Sequence, residues 1–286
     1  MRGYLPTITK GFSKDFHVHE RHSGDARGAN VVDYCRAAEE RGFDEICFTT
    51  HLIITGPDTD HSVQPNKISE YIEEIESARE STGVKLGIGL EVDYFPQEER
   101  RLEAILDEYA LDFVLGSMHY IRRFDIGARP GSMAFFGGRR IEESLDIYYE
   151  GWIEAIESGL FDVMAHPDYW RKYLHLTHHE QPSFKDYGQT VVKAIDSLKS
   201  YGVGVEVNPS GHRHGIGDCY PKLEFLLAIR EAGVETVTIG SDCHSTDRLG
   251  ENLGEAVRRL REAGYAEVSV FSERRNSRIR LNEILK

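Results

Sequence analysis

Cysteine is scarce in this 286-residue chain, and its four positions, Cys35, Cys47, Cys219 and Cys243, form no C-x-x-C pair. Such spacing supports neither a zinc knuckle nor a disulfide framework, and a reducing compartment is expected. No apolar run reaches the ~18 residues that suggest a membrane span. Residues 1–12 are too short and mixed for a charged-then-apolar export signal, so the expected location is the cytoplasm. Positive charge is also in deficit, with 34 Lys and Arg against 48 Asp and Glu, a formal net charge of −14. That acidity argues against partners such as nucleic acid or an anionic membrane. It leaves an anionic substrate open, because bound cations would dominate the field inside a site. No Pro- or Ser-rich linker interrupts the sequence, and single α/β barrels reach comparable lengths, so one domain over residues 1–286 is expected.

Histidines and acids, by contrast, are placed with a pattern. Apolar, strand-like runs end in them repeatedly: Phe16-His17-Val18-His19, Ile46 through His51, Leu86 through Glu91, Phe113 through His119, Val163 through His166, and Val237 through His244. A seventh run, Val205-Glu206-Val207-Asn208, ends in asparagine. Between the runs lie segments with helical spacing of apolar residues, several closed by glycine. Residues 30–41, for example, follow a plausible Asn30 cap and stop at Gly42. Repeated switching between strand and helix periods predicts βα units packed as a parallel sheet. Ligand-type residues at almost every strand end favour a closed barrel, because the outer strand ends of an open sheet lie too far from one site. Residues 54–66 and 122–140 read as long loops over the barrel mouth. Residues 267–286 read as a short strand followed by a basic, helix-like tail.

Two residues apart on a strand share a face, so His17 with His19, and Asp242 with His244, can each offer two donors to one side. His51, His119 and His166 end other strands, and Asp25 lies in the loop after the first, where His22 is an alternative. Glu91 would be costly to bury unless paired or metal-bound, and it is the natural bridge between two ions, with Asp93 as its supporting neighbour. Histidine with Asp and Glu, and no cysteine, suits Zn, Mn or Fe in an open catalytic site. Nine candidate ligands, His17, His19, Asp25, His51, Glu91, His119, His166, Asp242 and His244, are too many for one ion. Two or three divalent ions about 3.5–4 Å apart would suit phosphate ester hydrolysis, which makes a small phosphorylated molecule the expected substrate.

In order along the chain, Asp15-Phe16-His17-Val18-His19, Asp25, His51, Gly89-Leu90-Glu91-Val92-Asp93, Gly116-Ser117-Met118-His119, Ala165-His166-Pro167-Asp168 and Gly240-Ser241-Asp242-Cys243-His244 resemble the PHP family of polymerases and histidinol phosphatases. The resemblance implies a distorted (β/α)7 barrel, TIM-barrel-like, with a two- or three-metal centre at the C-terminal mouth of the strands. It implies one ion on His17, His19, Glu91 and Asp242, a second on Glu91, His119 and His166, and a third on Asp25, His51 and His244. Asp25 stands where the family often has histidine. Asn208-Pro209-Ser210-Gly211-His212-Arg213 resembles the Asn-x-x-Gly-x-Arg segment of the histidinol-phosphatase branch. It implies that Arg213 contacts phosphate, and His212 and His214 beside it are further substrate-binding candidates. The implied reaction is hydrolysis of L-histidinol phosphate by a metal-bridged hydroxide, with Asp25, His244 or a metal-bound water protonating the leaving alcohol. Another small phosphate mono- or diester, such as a nucleotide, is the alternative substrate.

Overall fold

The computed structural model describes residues 13–26, 28–56 and 59–281. The export-signal reading of residues 1–12 therefore lies outside the described residues. Seven parallel strands carry the architecture: β1 (Lys14–Val18), β2 (Glu45–Leu52), β3 (Lys85–Asp93), β4 (Phe113–Ser117), then, after a short hairpin of β5 (Tyr120–Ile121) and β6 (Phe124–Asp125), β7 (Val163–Met164), β8 (Gly204–Val207) and β9 (Val237–Ile239). They run in the order β1-β2-β3-β4-β7-β8-β9. An isolated parallel bridge between Val18 and Cys243 brings the two sheet edges together. There His19 N donates to Cys243 O at 2.9 Å, and Asp242 N donates to His17 O at 2.9 Å. The sheet is thus a nearly closed barrel, joined at the end that carries the candidate ligands.

Helices α1 (Val31–Arg41), α2 (Ile68–Arg79), α3 (Glu99–Glu108), α4 (Arg129–Phe136), α5 (Ile141–Glu157), α6 (Gly188–Tyr201), α7 (Ser210–Arg213), α8 (Leu223–Ala232) and α9 (Leu253–Glu262) occupy most of the connections. α1 illustrates how local sequence sets an element. Asn30 accepts from the Asp33 amide as N-cap, Val31, Tyr34, Cys35 and Ala38 form the buried stripe, and Gly42 closes the helix at φ 73°. Among the described residues, no helix is long and apolar enough to cross a membrane. All four cysteines are buried and free.

Two expectations change. Residues 122–140 are not simply a loop, because β6 and α4 lie within them. The C-terminal tail is not helical: β10 (Glu267–Ser272) pairs antiparallel with β11 (Arg275–Arg280). Val268 to Phe271 are buried along β10, and Glu273 and Arg274 turn the chain with φ 50° and 58°, the two-residue hairpin geometry. Residues 282–286 of that tail lie outside the described residues. The hairpin packs Val270 and Phe271 against Phe16, Phe113, Leu115 and Val163. Arg274 N donates to Asp112 O and its guanidinium to Leu160 O. Asp112 and Leu160 precede β4 and β7, so the hairpin covers the strand starts, opposite the ligand-bearing ends.

Candidate metal centre

Each candidate ligand sits at or just past the C-terminal end of a barrel strand, except Asp25, which comes from the loop after β1. All nine meet in one place. Glu91, buried on β3, is the hub. Its carboxylate lies 2.8 Å from His51 Nδ1, 2.9 Å from His166 Nε2, 3.4 Å from both His17 Nε2 and His19 Nε2, and 3.7 Å from His119 Nε2. Asp242 Oδ1 stands 3.6 Å from His19 Nε2 and 3.9 Å from His17 Nε2. Asp25 Oδ2 lies 3.1 Å from His244 Nε2 and 3.7 Å from His51 Nε2. His166 and Asp242 carry left-handed backbone, φ 28° and 55°, a strain that persists only where surrounding structure enforces it and that clusters at functional sites.

Neighbouring side chains decide which ring nitrogens face inward. Glu206, on β8, lies 2.6 Å from His17 Nδ1, leaving Nε2 for the cluster. Asp93 accepts from the His119 amide and holds its Nδ1 at 3.0 Å, the supporting role expected for it. Ser23 Oγ does the same for His19 Nδ1, and Ser117 Oγ donates to Glu91. A β-carbon at position 240 would collide with His17 Cβ and Glu206 Oε1, so only glycine lets β9 approach this pair. Glu206 and Ser23 are not among the ligand-type residues that end the sequence runs. A carboxylate flanked by two valines within a short buried strand was the available signal for Glu206.

Charge follows from this crowding. Burial would raise the Glu91 carboxyl, yet His17, His51 and His119 hold it well below the usual carboxylate range. Burial pushes His19 well down, reinforced by His244, His51 and His17. Burial opposes protonation of His17 as well, but Glu206, Glu91 and Asp242 outweigh it and raise the ring. These side chains fit divalent cations. Glu91 offers about four acceptor positions to five rings, and His17 Nε2 and His19 Nε2 face each other at 3.0 Å. Both His51 Nδ1 and Glu91 Oε2 lack a hydrogen-bond partner although they lie 2.8 Å apart. Among the described residues four donor triads each gather within 4.8 Å, three of them in this cluster: His19, His51 and His244; His17, His19 and Asp242; and His51, Glu91 and His119; the fourth is Glu20, His22 and Glu74. His22 is not part of this. It pairs with Glu20 at 2.9 Å and faces Glu74.

The cluster floors a cavity of about 690 Å³. Arg213 and His214 line it, whereas His212 does not; His212 Nε2 is buried without a hydrogen-bond partner. Arg213 donates to Glu251 at 2.9 Å and to Asp242 O at 2.7 Å. Sequence reasoning missed two further cations on the wall, Arg248 and Lys172, the latter donating from Nζ to Tyr169 Oη at 2.8 Å. Burial pushes the Lys172 ammonium below its ordinary range.

Known proteins resemble this chain in sequence and in fold. A probable histidinol-phosphatase of Deinococcus radiodurans is 29% identical over 253 residues, covering 87% of this chain and 93% of that protein. The histidinol-phosphatase of Lactococcus lactis is 25% identical over 266 residues, covering 90% and 94%. In fold, the chain superimposes on the crystal structure of the Lactococcus lactis histidinol phosphate phosphatase complexed with Zn, L-histidinol and phosphate. The TM-score is 0.79 at 21% identity, covering 93% of this chain and 98% of that one. A putative histidinol phosphatase from Listeria monocytogenes gives a TM-score of 0.75 at 20% identity, covering 84% and 98%. Residues 15–210 match the PHP domain, and the chain belongs to the PHP domain family.

Proposed function

We propose that this protein is a metal-dependent phosphomonoester hydrolase whose substrate is L-histidinol phosphate. The carrying observation is the meeting of nine His, Asp and Glu donors with Arg213 and Lys172 around one cavity. In this reading His17, His19, Glu91 and Asp242 hold one ion, Glu91, His119 and His166 a second, and Asp25, His51 and His244 a third, drawn from Zn, Mn or Fe. Divalent ions bound there supply positive charge to phosphate oxygens and acidify water.

The chain's own residues complete the chemistry. Arg213 offers a planar fork of donors to phosphate oxygens, and Lys172 adds a compact positive charge. Hydrogen bonds from His244 and His51 overcome the effect of burial and keep Asp25 ionised, the state a metal ligand needs. Glu206 and Asp93 hold the His17 and His119 rings in orientation. The relatives named histidinol-phosphatases support the substrate. The test is phosphate release from a panel of phosphomonoesters and nucleotides, with Zn, Mn or Fe added. A preference for L-histidinol phosphate of more than tenfold is expected. A preference of only a few-fold would transfer the activity to some other small ester.

A further inference from the structure

Lysine and arginine line the cavity at three places: Lys172, Arg213 and Arg248. Two of them are already engaged. Lys172 donates to Tyr169 Oη at 2.8 Å, and Arg213 donates to Glu251 at 2.9 Å and to Asp242 O at 2.7 Å. Arg248 differs. It is exposed, and among the described residues its guanidinium has no hydrogen-bond or ion-pair partner. That holds although the carboxylates of Asp25, Asp125 and Asp242 line the same cavity.

Its backbone, by contrast, is pinned. The turn Thr246–Arg248 follows the candidate ligand His244, whose Nε2 lies 3.1 Å from Asp25. Arg248 N donates to Ser245 O at 3.0 Å, and Arg248 O accepts from Glu251 N at 2.9 Å. Arg41, at the end of α1, donates to Asp247 O at 3.2 Å and to Leu249 O at 2.8 Å, one residue to either side. Gly250 N donates to the buried Asp15 at 3.1 Å. The chain is therefore held at Arg248 while every guanidinium N–H stays unfilled. Unfilled donors on a held residue suit a ligand that brings its own acceptors, and a phosphate monoester offers its terminal oxygens to such a planar fork. The same ester approaches a chain of net charge −14, which repels it unless a local cation reverses the field at the entrance. An exposed arginine on the cavity wall supplies that charge.

We infer that Arg248 is a substrate-binding residue that takes phosphate oxygens of the ester at the cavity entrance. The inference rests on the phosphatase reading above and deepens it. The test titrates inorganic phosphate calorimetrically into the wild-type, Arg248→Gln and Arg248→Lys holoenzymes at low and at high salt, with KM for L-histidinol phosphate measured alongside. At low salt Arg248→Gln should bind phosphate about tenfold more weakly and raise KM in step. Arg248→Lys should recover part of both. High salt should narrow the gap between wild type and Arg248→Gln, because exposed charges are screened. Unchanged phosphate affinity in Arg248→Gln overturns the assignment. A loss that salt does not narrow and lysine does not restore overturns it as well, being the mark of a purely structural residue. Wild-type protein that hydrolyses no phosphate ester removes the phosphatase reading itself, and the substrate assignment with it, a result distinct from an unchanged phosphate affinity.

Discussion

Glu206 has the most to say at the scale of single residues. It touches His17 on the nitrogen that points away from the cluster, and it acts by fixing the ring's tautomer and direction. Supporting contacts of this kind typically change metal affinity or activity by about 10–100-fold. Glu206→Gln is therefore expected to weaken metal binding by that order while leaving the fold intact, as metal titration alongside circular dichroism will report. The ligand pairs His17/His19 and Asp242/His244 were legible because a spacing of two has one meaning on a strand. Glu206 and Lys172 were not, since their significance lies in partners brought close only by the barrel. His212 shows the converse: its place beside Arg213 suggested a substrate contact, but α7 turns it away from the cavity wall. His214 carries a pH signature. Burial and the nearby Lys172 push its imidazole down to about 3. Its unfolded value is near 6.5, so below that pH the unfolded chain binds a proton that the folded chain refuses. Stability contributed by neutral His214 is complete above about pH 6.5 and is lost as pH falls toward 3, by at most about 1.4 kcal/mol per pH unit. Urea midpoints of His214→Asn should accordingly decline less between pH 7 and pH 5 than those of the wild type.

Among the secondary-structure elements, seven strands and their following helices could be read from alternating periods, with Asn30 and Gly42 marking both ends of α1. The β5–β6 hairpin and α4 could not. The two-residue strands β5 and β6 and the eight-residue α4 lie within a Gly- and Arg-rich stretch, too short for periodicity to emerge. The C-terminal basic residues looked helical by composition, whereas their pairing with β10 depends on the turn at Glu273 and Arg274. Two variants probe the elements. Asn30→Ala removes the α1 cap and should cost about 1 kcal/mol in urea unfolding. Gly240→Ala forces a methyl group between His17 and Glu206. It should cost about 1–3 kcal/mol and disturb metal binding as well, because the collision falls on a candidate ligand and its orienting partner.

Over the whole molecule, an acidic chain encloses a site for an anion. A net charge of −14 would repel a phosphate ester, and the barrel resolves the conflict by gathering its histidines and carboxylates where divalent cations can reverse the local field. The barrel's topology makes this possible, since parallel strands deliver all their C-terminal ends to one mouth while the β10–β11 hairpin covers the other end. Architecture and ligand set were legible together, each supporting the other. The most direct test of the account measures metal content and phosphate release from L-histidinol phosphate in the same Glu91→Ala preparation. The account predicts that bound metal and turnover are lost together, with kcat/KM down by at least a thousandfold. A Glu91→Ala protein that keeps its full metal complement and hydrolyses the ester at the wild-type rate would contradict it.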